Sequence, residues 1–106
     1  MNINTPLNGE LKLQLEDSFD ALAVEDLRQD FDHLAVQELD VVLDFSRVTF
    51  IDSSGLGAIV FLFKRLRALN KNLTLVNTTG QPLQLLQYLR IDKVIEMTNS
   101  EGDSHE

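Results

Sequence analysis

The run Val41-Val42-Leu43-Asp44-Phe45 constrains this chain more than any other stretch, because it is short, β-branched and almost continuously apolar. Such a run reads as a central strand covered on both faces, so it needs neighbours that bury it. Those neighbours are legible on either side. Asp20 can cap a helix in which Leu22, Leu27, Phe31 and Leu34 recur near the ~3.6-residue period, with Glu25, Asp26, Arg28, Gln29 and Asp32 between them. This pattern predicts an amphipathic helix lying on a sheet. Residues 48–51 continue as strand, and Asp52-Ser53-Ser54-Gly55 then opens a long helix to about Leu69 that ends at Asn70. Lys64, Arg65 and Arg67 fall in its last turns, where the helix dipole favours cations.

Residues 73–77 read as another short strand and 78–81 as a turn. Pro82 is placed for the first turn of a helix carrying Leu85, Leu86 and Leu89, and 94–97 can close as a final strand. At the amino end, Asn8-Gly9 is a preferred two-residue hairpin turn, and Leu11, Leu13 and Leu15 alternate after it in a strand over 10–15. Strands alternating with helices imply an α/β sandwich: a central, mainly parallel mixed sheet with right-handed crossovers and an antiparallel amino-terminal hairpin, packed by helices.

A chain of 106 residues, 43% hydrophobic and 25% charged, has the size and balance of one folded domain, expected over residues 1–98. Residues 99–106 carry no apolar anchor and read as a disordered acidic tail. The longest apolar run, 56–63, is far short of the ~18 residues that span a bilayer, and no basic segment followed by an apolar one opens the chain. A cytoplasmic protein without membrane insertion is expected. The net charge of −8 repels phosphate backbones and anionic lipid, which argues against direct nucleic-acid binding and favours a protein partner with a basic or mixed face. The absence of cysteine excludes disulfides, thiolate metal sites and cysteine nucleophiles. His33 and His105 are too far apart in the chain to argue for a metal, and nothing calls for a cofactor.

The informative segment is Val48-Thr49-Phe50-Ile51-Asp52-Ser53-Ser54-Gly55-Leu56-Gly57. A buried strand here delivers a carboxylate and two hydroxyls to a helix start, where free N–H groups and the positive end of the dipole accommodate an added anion. The plainer account is that Asp52 or Ser53 only caps the helix while the glycines allow it to approach the sheet closely. Hydrolase chemistry is disfavoured, because Asp-Ser-Ser-Gly lacks the Gly-x-Ser-x-Gly elbow and no histidine sits in a motif that would make it a base. No Gly-x-x-x-x-Gly-Lys loop is present to cradle a nucleotide. The expectation is a binding module and not an enzyme. Leu56, Ala58, Ile59, Val60, Phe61, Leu62 and Phe63 are apolar around most of the helix circumference. Either some of them, Phe61 among them, form a docking patch, or a neighbouring element covers them.

Residues 41–62, and in them Asp44-Phe45-Ser46-Arg47-Val48-Thr49-Phe50-Ile51-Asp52-Ser53-Ser54-Gly55-Leu56-Gly57, closely resemble the STAS family, named for sulfate transporters and anti-sigma antagonists. Phe19-Asp20 and Glu25-Asp26-Leu27-Arg28 resemble the family's pattern around its first helix. Leu85-Leu86 and Ile91-Asp92-Lys93-Val94 resemble its last helix and final strand, so the likeness spans about residues 11–97. The resemblance implies an anti-sigma factor antagonist phosphorylated on Ser53, with Asp52, Ser54, Gly55, Leu56 and Gly57 at the partner-binding helix start. The implied partners are a serine kinase that doubles as an anti-sigma factor, captured by the unmodified form, and a metal-dependent serine/threonine protein phosphatase that resets the switch. Other stand-alone members regulate biofilm or motility, or dock constitutively to a transporter complex. Asp17 and Arg90 stand where the family usually has glycine, and the amphipathic helix that many members add after the last strand is not seen.

Overall fold

The computed structural model describes residues 3–4 and 9–98. In chain order the elements are β1 (Ile3–Asn4), β2 (Glu10–Phe19), α1 (Ala21–Val36), β3 (Asp40–Ile51), α2 (Ser53–Ala68), β4 (Leu73–Val76), α3 (Gly80–Tyr88), a single 3-10 turn (Ile91–Lys93) and β5 (Glu96–Thr98). The strands lie in sequence order, β1-β2-β3-β4-β5, and β2 to β5 are parallel throughout. Consecutive parallel strands joined by crossovers of one hand put every connecting helix on the same face, so the fold is a helix layer on a sheet.

Burial follows that layering. Leu11, Leu13 and Leu15 of β2, Val41, Leu43 and Phe45 of β3 and Leu73 and Leu75 of β4 meet Leu27 and Leu34 of α1, Ile59, Leu62 and Leu66 of α2 and Leu86 of α3 in one core. The intervening residues Lys12, Val42, Thr74 and Thr98 line a shallow open groove on the opposite face. The central strand is therefore not covered on both faces as its composition implies. Val42 is half-buried beside polar neighbours, and the apolar run is completed instead by Asp44 turning its carboxylate into a local hydrogen-bond network.

Three further expectations need correction. β1 does pair antiparallel with β2, but with Ile3 opposite Leu13 and Asn4 opposite Lys12. A two-residue turn at Asn8-Gly9 would put Ile3 opposite Gln14, one residue away, so that turn does not set this register. Residues 5–8 lie outside the described residues, as does the tail at 99–106. Leu22, placed by periodicity on the buried stripe of α1, is 78% exposed, and Ala23 and Val24 pack against the core in its place. The final strand begins at Glu96, because Val94 caps the 3-10 turn and Ile95 donates back to the Ile91 carbonyl.

Between β2 and β3 the pairing slips twice, between Gln14 and Glu16 and between Asp17 and Ser18. Each slip adds a residue to β3, so its buried positions recur at Phe45, Val48 and Ile51 instead of every second residue. The bulges bend the end of β3 while keeping its apolar residues inward. Asp17, at the second slip, has φ 54°, and Arg90, after α3, has φ 62°. Glycine, which the resemblance implies at these two positions, answers to a left-handed backbone that other residues adopt at a cost. The end of α2 is closed the same way: Asn70, at φ 62°, donates to the Arg67 carbonyl while Lys71 donates to that of Leu66, the paired bonds of a Schellman stop.

Candidate functional site

Parallel strands with right-handed crossovers gather their carboxyl ends, and the amino ends of the following helices, along one edge of the sheet. There β3 passes into α2 with no intervening loop: Ile51 is the last strand residue, Asp52 the cap, Ser53 the first helical residue. Asp52 is extended, at φ −112° and ψ −172°, and its Oδ1 accepts from the Gly55 N–H at 3.0 Å. Its carbonyl accepts from the Leu56 N–H at 2.9 Å. The expectation that Asp52 caps the helix is thus met, and Ser53 is left with no capping duty. Ser53 and Ser54 are both exposed in the first turn, where main-chain N–H groups have no intrahelical acceptor.

Gly55 is the fixed point of the turn. A Cβ there would lie 2.1 Å from the Phe19 carbonyl oxygen and 2.9 Å from both the Ile51 and Phe19 side chains. Only a bare Cα lets α2 start this close to β2 and β3. Gly57 differs, because a Cβ at that position meets nothing within 4 Å and the residue is exposed. Its absent side chain shapes the surface and has no role in packing.

The apolar positions of α2 divide between the two alternatives left open by the sequence. Ile59, Leu62 and Leu66 are buried, and Leu56, Ala58 and Phe63 are half-buried against the core. Phe61 alone among the large ones points outward, 62% exposed, with the Arg65 guanidinium 5.5 Å from its ring centre. It forms one wall of an apolar groove between α1 and α2, opposite Val24, Leu27 and Phe31. Phe50, 43% exposed two residues before the cap, is a second outward aromatic near the turn.

Gln81, in the first turn of α3, is a contributor that sequence reasoning passed over, taking it as part of a turn. Its Oε1 accepts from the Ile51 N–H at 2.9 Å and its Nε2 donates to the Ile51 carbonyl at 3.0 Å. No local pattern announces a bond to a residue thirty positions away. Asp44, farther down β3, is 6% exposed. Burial pushes its carboxyl up, but bonds from the Ser46 N–H, the Asn77 amide and the Ser46 hydroxyl, with Lys12 at 3.8 Å, outweigh that and hold it below its ordinary value. Among the described residues no helix is long and apolar enough to cross a membrane.

Comparison with known proteins agrees with this architecture. The family model for the STAS domain matches residues 2–104. A STAS-domain containing protein of Pseudomonas aeruginosa is 25% identical over 84% of this chain and 88% of its own length. The anti-sigma-B factor antagonist of Bacillus subtilis is 26% identical over 96% of this chain and 97% of its own. Among solved structures, the Bacillus cell-fate determinant SpoIIAA in its phosphorylated form superposes with a TM-score of 0.74 at 20% identity, covering 94% of this chain and 92% of that one, which establishes a shared fold.

Proposed function

The chain belongs to the STAS domain family, and from that premise we propose that it is an anti-sigma factor antagonist, a cytoplasmic binding module switched by phosphorylation of Ser53. The observation that carries the reading is the exposed Ser53 on the first residue of α2, freed from capping by Asp52 and set on a turn that Gly55 lets pack closely against β2 and β3. The naming of the Bacillus subtilis relative as an anti-sigma-B factor antagonist, and the existence of SpoIIAA in a phosphorylated form, support it.

In the unmodified state, the start of α2, with Asp52, Ser54, Leu56 and Gly57 around the buried Gly55, and the outward Phe61 dock on a serine kinase that is also an anti-sigma factor. In the modifying step the Ser53 Oγ attacks the γ-phosphorus of kinase-bound ATP. The bond to the β–γ bridging oxygen breaks, ADP departs, and the hydroxyl proton passes to a base of the kinase. The added group carries about −1.5 to −2 charges at a helix amino end, where the fold tolerates it. The penalty falls on the complex, because a partner packed over this turn has to desolvate the phosphate at a cost of several kcal/mol, about a hundredfold or more in affinity. A serine/threonine protein phosphatase hydrolyses the ester and restores the binding form.

The test is incubation with candidate serine kinases and ATP, followed by intact-mass measurement and phosphopeptide mapping. One phosphate on Ser53 and loss of kinase binding by that form are expected. Modification at Ser54, or undiminished binding by the Ser53 phospho-form, sinks the assignment.

A further inference from the structure

β4 stops at Val76, opposite Asp44, so residues 45–51 of β3 run on to the site without a partner from β4. At Ile51 one side chain stands in for the missing strand. Gln81 accepts from the N–H and donates to the C=O of the same residue, the pair of bonds a neighbouring strand would make. Ile51 is buried, and the next residue is the cap. From these contacts we infer that Gln81 is a positioning residue for the Ser53 site: it clamps the end of β3 so that Asp52 caps α2 and Ser53 is presented at a fixed place. This inference rests on the phosphorylation reading above only for its functional consequence.

The clamp makes a chemical demand, one acceptor and one donor at adjacent positions, that an amide of this reach meets at neutral pH. Alanine supplies neither. An ionised Glu at this position accepts from the Ile51 N–H but opposes the carbonyl with a second negative oxygen, whereas a protonated Glu again offers both functions. Rescue of Gln81→Glu by acid, without rescue of Gln81→Ala, therefore distinguishes the two-bond clamp from simple filling of space.

The experiment uses the full chain in two arms. Amide hydrogen exchange should show Ile51 and Gly55 opening at least about tenfold faster in Gln81→Ala and, at neutral pH, in Gln81→Glu, while residues 11–15 of β2 keep their protection. As the pH falls below about 4, under the ordinary pKa of a Glu carboxyl, protection should return in Gln81→Glu alone. In the second arm, with ATP and the serine kinase that modifies the wild-type chain, Gln81→Ala should lower kcat about tenfold with KM little changed, because the outward face of α2 is untouched. Unchanged exchange at Ile51 and Gly55 overturns the inference. So does a uniform loss of protection across the sheet with kcat and KM moving together, the signature of a merely structural staple. If no kinase modifies wild-type Ser53, the proposed function fails by itself, and the exchange arm still decides whether Gln81 holds the turn.

Discussion

Two glycines separated by a single residue should respond in opposite directions to the same substitution. At Gly57 an added Cβ meets nothing within 4 Å, so Gly57→Ala gains helix propensity alone, about 1 kcal/mol of stability. At Gly55 the same gain is available, but the new Cβ would sit 2.1 Å from the Phe19 carbonyl oxygen. That neighbour is main chain and cannot rotate away, and relief by more than an ångström has to come from moving α2 off β2 and β3. Overpacking of this kind costs about 1–3 kcal/mol when side chains can adjust, and rigid backbone puts Gly55→Ala at the upper end. After the propensity gain, a net loss of about 2 kcal/mol is expected, leaving the two variants about 3 kcal/mol apart. In urea, with slopes of about 1–3 kcal/mol/M for a small domain, their midpoints should differ by more than about 1 M at unchanged slope. A Gly55→Ala chain as stable as the wild type would refute the claim that close approach, and not helix chemistry, selects glycine there.

Four other outcomes are expected. Arg90→Gly should raise stability by about 0.5–1 kcal/mol in thermal melts, since relief of the left-handed φ exceeds the added freedom of the unfolded chain, with a smaller gain for Asp17→Gly because Asp tolerates that region better. The folded-state carboxyl of Asp44 lies below its unfolded value of 3.8, so its contribution is complete above that pH and is lost as pH falls through the lowered value; Asp44→Asn should flatten the drop in urea midpoint between neutral pH and about pH 3. Phe61→Asp should weaken kinase binding by more than ~1 kcal/mol without moving the urea midpoint, whereas half-buried Leu56→Asp should move both. By titration calorimetry, Ser53→Ala should bind the kinase and resist modification, and Ser53→Asp should bind poorly, though less so than the phospho-form, because it carries less charge than phosphate.

The local chemistry of the site was already present in the order of its residues. An apolar run, a carboxylate, two hydroxyls and a glycine spell a strand passing through a cap into a helix, and the cap forms where the residue types require it because an N-cap bond spans only three residues. The element order follows from periodicity for the same reason, since each period is satisfied within a few turns or a few pleats. What lay beyond the sequence depends on partners distant in the chain. Phe45, Val48 and Ile51 break the alternation of a strand, and only the pairing with β2 shows that two slips keep all three inside. Leu22 faces solvent because, five residues before Leu27, it lies about 140° around the helix from it, while Ala23 and Val24, at four and three residues, share the Leu27 face and pack against the core. Gly55 and Gly57 look alike in sequence and are separated in role by the carbonyl of Phe19. Gln81 reads as an ordinary turn residue until the early end of β4 leaves Ile51 without a strand, and the tertiary fold then decides that a side chain completes the ladder two residues before Ser53.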